Sequence, residues 1–153
     1  MTNMTNVTKR SLRRPTSRIV LAGVAVLVAL LLAACLTSGQ DAVLRELNSD
    51  RRAHGLASLP AHGTLTAKAQ AWAEKMAREG RLSHSNLASG APRCWQRLGE
   101  NVGYGSSAAA VQDAFMRSSG HRANVLGRWT DVGVGYAKAG NRVYVVQVFM
   151  VRC

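Results

Sequence analysis

The chain has 153 residues, 20 Lys and Arg against 8 Asp and Glu, a formal net charge of +12, and three cysteines. That length leaves room for one ordinary domain behind a leader and none for a second. The basic residues form no dense run and are not interleaved with aromatics, which argues against a nucleic-acid partner despite the charge.

Residues 1–34 read as an export signal. Lys9, Arg10, Arg13, Arg14 and Arg18 form a basic stretch without an acid, and Ile19 to Ala34 is apolar apart from Gly23. Leu32-Ala33-Ala34-Cys35 then resembles a lipobox, so cleavage is expected before Cys35, with a diacylglyceryl group on its sulfur and residues 35–41 as a short tether. The second reading is an uncleaved anchor, because the apolar run falls just short of a confident membrane span. Arg13-Arg14 resembles the start of a twin-arginine signal, but Pro15-Thr16 stand where an apolar pair is usual, which favours general secretion. On either reading the domain lies outside the cytoplasm, tethered to the membrane. Without the leader, 153 − 34 leaves 119 residues carrying 15 Lys and Arg and 8 acids, or +7. That balance favours an anionic envelope component, lipid headgroups or acidic polymers as partners. With Cys35 acylated, Cys94 and Cys153 remain as a pair in an oxidising compartment, and a disulfide between them is predicted.

In chain order, Val43, Leu44 and Leu47 recur at helical spacing, with Gly55 as a stop, which predicts a helix from Asp41 to about His54. A second helix follows the loop through Pro60 and Gly63, with Thr64 as its cap, Leu65, Ala69, Trp72, Ala73 and Met76 on one face, and Gly80 at its end. Trp72 is expected in the core. His54 and His62 fall at a helix end and in a loop, where exposed or end-capping imidazoles are expected. From Ser85 to Arg97 the chain reads as loop. Ser106 and Ser107 are candidate caps for a third helix that carries Val111 and Phe115 inward and ends near Gly120. Asp131 to Lys138 and Arg142 to Val151, separated by Ala139-Gly140-Asn141, read as a β-hairpin. Helices first and strands later indicate an α+β fold.

Three segments carry the chemistry: Leu82-Ser83-His84-Ser85, Leu98-Gly99-Glu100-Asn101-Val102-Gly103-Tyr104-Gly105, and Ser118-Ser119-Gly120-His121-Arg122-Ala123-Asn124-Val125-Leu126. Their order, followed by Asp131-Val132-Gly133-Val134-Gly135-Tyr136, resembles the bacterial branch of the CAP superfamily, also called the SCP domain. The resemblance runs from about residue 42 to about 150 and implies a single three-layer α-β-α sandwich over residues 42–153. It also implies that His84, Glu100 and His121 line one central cavity, where some family members hold metal.

Two imidazoles and a carboxylate suit zinc or another divalent cation with an open coordination position, or a proton-handling cluster. Glu100 would be either a third ligand or the partner that fixes a histidine tautomer. The plainer alternative is a buried polar network without a ligand. One departure weakens a metal site drawn on eukaryotic members: their Trp-x-x-Glu-x-x-x-Tyr segment supplies a second cavity glutamate, and here Phe115-Met116-Arg117-Ser118 stands in its place. A binding or interaction module of the envelope, its cleft taking a ligand such as a small lipid, is the favoured reading. A hydrolase acting on a peptide, glycan or lipid through catalytic His84, Glu100 and His121 is the rival. Ser83, Ser85, Ser118 and Ser119 flank the histidines, but no Gly-x-Ser-x-Gly elbow and no His-Glu-x-x-His accompanies them.

Overall fold

The computed structural model describes residues 35–153; the expected export signal, residues 1–34, lies outside the described residues. Four helices and three strands follow in the order α1 (Ser38–Ala53), α2 (Gly63–Glu79), β1 (Trp95–Gly105), α3 (Ala108–Arg117), α4 (Ser119–Val125), β2 (Asp131–Ala139) and β3 (Arg142–Arg152). None of these helices is long and apolar enough to cross a membrane.

Helix α1 begins inside the segment read as a tether. Thr37 is its N-cap, the Thr37 hydroxyl accepts from the Gln40 N–H, and the Gln40 side chain accepts from the Thr37 N–H, completing a capping box. Leu36 packs against the core ahead of the cap. Helix α2 is capped by His62 rather than Thr64 and ends, as expected, at Gly80 in the left-handed conformation (φ 68°). The third expected helix is two. Ser118 is extended (φ −93°, ψ 120°) and breaks the chain into α3 and the short α4, which carries His121 and Asn124 on a helix instead of in a loop.

The hairpin forms as expected, with Gly140 at φ 56° in the two-residue turn. The sheet is antiparallel in the order β1-β3-β2, with Glu100 opposite Val148 and Asn101 opposite Gln147. Strand β1 was not among the expected elements. Its glycines are close-packing positions: a Cβ on Gly99 would lie 2.9 Å from the Trp129 ring, and one on Gly103 2.8 Å from Phe115.

Helices cover both faces, which gives the three-layer α-β-α sandwich. Alternate residues of the central strand β3 serve the two cores: Val143, Val145 and Phe149 face α1, α3 and α4, while Tyr144, Val146, Val148 and Met150 face α2. Helix α2 lies so close to β2 that a Cβ on Gly133 would approach the Leu65 backbone to 2.2 Å, and one on Gly135 the Ala69 carbonyl to 2.1 Å. The predicted disulfide is present between Cys94 and Cys153, with Cα atoms 5.5 Å apart and a sequence separation of 59, pinning the end of β3 to the start of β1. Cys35 is exposed and unpaired.

Candidate functional site

Strand β1 is hydrogen-bonded to β3 on one side only; His84 bonds the side chain of its Glu100, and His121 is tied to its Asn101 through the backbone carbonyl. Pleating sends Leu98, Glu100 and Val102 toward the α2 layer, and Gly99, Asn101 and Gly103 toward the α3–α4 layer. His84 comes from the segment after α2, and His121 from α4 on the opposite layer. The sandwich edge therefore brings together groups that no local spacing could.

Glu100 is the fixed member. Its side chain is 1% exposed, whereas that of His84 is 63% exposed. Glu100 Oε1 accepts from His84 Nδ1 and from the Ser85 N–H, both at 2.8 Å, and Oε2 accepts from the Ser85 hydroxyl at 2.5 Å. Three donors from two adjacent residues thus compensate the burial of one carboxylate, and they tie the His84 loop to the sheet. With Nδ1 facing Glu100, the lone pair of a neutral His84 ring lies on Nε2.

His121 is half-buried, and its ring packs on Phe115 with centroids 5.0 Å apart. Burial, and secondarily the positive charge that His84 carries when protonated, hold the His121 imidazole below its ordinary value of 6.5. Its backbone carbonyl accepts from Asn101 Nδ2 at 3.1 Å. The Asn124 side chain bonds the Glu100 carbonyl at 3.2 Å and Asn101 Oδ1 at 2.9 Å, so α4 is fastened to β1 by amides.

Those amides continue inward. Asn101 Nδ2 donates to Gln147 Oε1 (3.1 Å), Gln147 Nε2 to Gln112 Oε1 (2.7 Å), and Gln112 Nε2 to Asp50 Oδ2 (2.7 Å). Every amide from Asn124 onward donates in the same direction, and the carboxylate of Asp50 on α1 ends the chain. Asn101, Gln112 and Gln147 are buried. Sequence reasoning missed Gln112 and Gln147; the available signal was a glutamine inside the apolar run Val145-Val146-Gln147-Val148-Phe149.

As a metal set, the three residues divide into two roles. Among the described residues no group of three or more His, Cys, Asp or Glu side chains has metal-holding geometry. Glu100 has both oxygens engaged by His84 and Ser85, so it fits the role of a tautomer-fixing partner rather than a third ligand. His84 Nε2 and the His121 ring are the donors left to face a cation. The serines do not form a nucleophile–base pair: Ser85 donates to Glu100, the buried Ser83 hydroxyl has no partner, and Ser118 and Ser119 sit at the α3–α4 break.

The other imidazoles and indoles take supporting positions. His54 is the C-cap of α1, its Nδ1 2.8 Å from the Asp50 carbonyl, and His62 is the N-cap of α2. Trp129 stacks on Phe149 at 5.5 Å and donates to the Asn124 carbonyl, while Trp95 is 39% exposed. Trp72, expected in the core, is half-buried: its indole N–H reaches the Ser83 carbonyl at 2.7 Å and Lys75 lies over its ring. Beside it, a groove of about 510 Å³ runs between the outer face of α2 and the loop from Ser85 to Gly90.

Solved structures with this architecture include an outer surface protein of Borrelia burgdorferi, at TM-score 0.66 and 18% identity over 76% of this chain and 95% of that one. An extracellular SCP-domain protein of Bacillus anthracis superposes at TM-score 0.62 and 24% identity over 78% of this chain and 45% of that one. A cysteine-rich secretory protein of Staphylococcus aureus gives TM-score 0.61 and 16% identity over 74% of this chain and 38% of that one. This chain thus spans less than half the length of the last two. No curated protein sequence matches it. The sequence profile of the cysteine-rich secretory protein family, CAP, matches residues 44–149, which takes in all three motif segments and most of the hairpin, and the chain belongs to that family.

Proposed function

We propose that the protein is an extracytoplasmic binding module of the cell envelope, anchored by lipid on Cys35, whose edge cleft presents His84 and His121 to a ligand or a divalent cation such as zinc. The observation that carries this reading is the contrast in burial along one hydrogen bond. A fully enclosed Glu100, held by three donors, fixes the ring of a His84 that is itself largely in solvent. A purely structural network would have little need to aim an exposed imidazole. His121 supplies a second ring held toward its neutral, ligating form. A bound cation would supply Lewis acidity and a charge to hold an anionic ligand, with His84 and His121 as its protein donors.

The address rests on the basic and apolar leader, the lipobox-like Leu32-Ala33-Ala34-Cys35, and the exposed free thiol of Cys35. The relatives of similar fold described as outer surface, extracellular or secretory proteins are consistent with it. A binding role is favoured over hydrolysis because the candidate serines are not paired with a base.

Calorimetric titration of zinc into the metal-stripped protein tests the site. Saturable binding that is lost in His84→Ala and in His121→Ala, and only weakened in Glu100→Gln, is the expected result. Binding that survives both histidine substitutions places the cation elsewhere and overturns the assignment. For the anchor, Cys35→Ala is expected to abolish incorporation of labelled fatty acid; unchanged labelling would refute it.

A further inference from the structure

The groove on the outer face of α2 has a composition that the edge cleft does not explain. Its floor is apolar, formed by the exposed Ala67 and Ala71, one helical turn apart, and by the face of Trp72. Three cations line it, Lys68, Lys75 and Arg78, and no acid does. From Thr64 to Arg78 it follows α2 for four turns, about 21 Å at the helical rise.

The cations are differently engaged. Lys68 Nζ donates to the Asn86 and Ser89 carbonyls, both at 2.7 Å, which shapes the opposite wall and leaves one N–H free. Lys75 lies over Trp72, 4.6 Å from the ring centroid, and pairs with Glu79 at 2.8 Å. Arg78 makes no side-chain ion pair among the described residues. The nearby acids are Glu74 and Glu79 on the same helix and Glu100, which bonds Ser85 and whose charge acts on Lys68, and none of them lines the groove. The stripe is apolar along Ala67 and Ala71 and positive toward Lys75 and Arg78, which selects a partner with apolar groups at one end and acidic groups at the other.

The groove is also open along its length. An acyl chain laid in it would stay half in water and forfeit much of the gain from burial. An extended peptide loses nothing there, because its outward backbone groups remain hydrated while alternate side chains meet the floor. About six extended residues span 21 Å.

We propose that this groove docks an extended peptide segment with apolar residues at one end and acidic residues at the other, supplied by a partner protein. Apolar side chains rest on Ala67, Ala71 and Trp72, and acidic ones meet Lys75 and Arg78. The groove adjoins the edge cleft at Ser85, which lines it and bonds Glu100, but its proposed contacts use neither His84 nor His121 and need no metal.

The test uses the full chain in nanodiscs of zwitterionic lipid and a fluorescein-labelled hexapeptide of three leucines followed by three aspartates, read by anisotropy. Saturable binding is expected, weakening as salt rises and falling about tenfold or more in Lys75→Glu/Arg78→Glu. Ala71→Asp, at an exposed helical position, should abolish binding while the melting temperature stays within a few degrees. His84→Ala should bind the peptide as the parent does. Equal binding of a hexapeptide with lysine in place of aspartate would overturn the proposal, as would the absence of saturable binding. Displacement of the peptide by decanoate at low occupancy would make the groove an amphiphile site instead and would also overturn it. Loss of peptide binding in His84→Ala would assign the interaction to the edge cleft.

Discussion

Replacing Gln147 with leucine should destabilise the domain through its partners rather than through lost volume. Gln147 is fully buried on β3, accepts from Asn101 and donates to Gln112. Leucine fills nearly the same space on a face otherwise made of Val145 and Phe149, so the cavity cost is small. Gln112 Oε1, however, loses its only donor among the described residues, while Asn101 Nδ2 keeps the His121 carbonyl. One orphaned buried acceptor costs about 1–3 kcal/mol, and the gain from burying leucine offsets only part, so a net loss of about 2 kcal/mol is expected. Urea unfolding measures it, with an unchanged slope showing that the native state keeps its compactness. The double substitution Gln112→Leu/Gln147→Leu removes the orphan and leaves only Asp50, which is half-buried and open to water. The two changes should therefore be less than additive, by about 1 kcal/mol. A loss below about 0.5 kcal/mol for Gln147→Leu, or strict additivity in the pair, would show that the amide chain is not a coupled unit.

Gly135→Ala should be far more damaging than a methyl group ordinarily is, since its Cβ would meet the Ala69 carbonyl of α2 at 2.1 Å and neither backbone can give way; failure to refold, or a loss above about 3 kcal/mol in unfolding measurements, is expected. Reducing the Cys94–Cys153 bridge, which spans 59 residues, should cost about 4 kcal/mol on the chain-entropy view, seen as a lower melting temperature in Cys94→Ser/Cys153→Ser. His121 in the folded protein binds its proton below 6.5 and the unfolded chain near 6.5, so its contribution is full above that pH and is lost as pH falls through it. In His121→Gln the part of the stability loss that sets in below pH 6.5 should disappear. At Asp131 burial pushes the carboxyl up, but hydrogen bonds from Thr130 and Arg152 outweigh it and hold it below 3.8. Its stabilising part is accordingly present above pH 4 and is lost in stronger acid, and an Arg152→Ala protein should show a shallower acid limb in the same measurement.

The segments with strong local periodicity were legible. Leu47, Leu65, Ala69 and Met76 mark buried helix faces by their 3.6-residue spacing, and Arg142 to Val151 marks a strand by its β-branched content, because each pattern reflects burial on one side of a single element. Strand β1 was not legible for the opposite reason. Glycines at 99 and 103 weaken the strand signal, and the need for them lies in Trp129 and Phe115, which reach them only in the folded sheet. The break between α3 and α4 was hidden likewise, since Ser118-Ser119-Gly120 permits either a helix end or a kink.

For the proposed site, the motifs in the sequence pointed to His84, Glu100 and His121, and the cysteine count to the Cys94–Cys153 pair that the structure contains. The contacts of these residues were decided by tertiary structure alone. Whether a carboxylate ligates or orients depends on which atoms face its two oxygens, and the sequence does not encode that Ser85 and His84 would turn back onto Glu100 across the free edge of β1. The same holds for Asn101, Gln112, Gln147 and Asn124, four amides from four elements. Each is unremarkable in its own segment, and they become one chain only where the strand pleat and two helices bring their donors and acceptors within hydrogen-bonding distance.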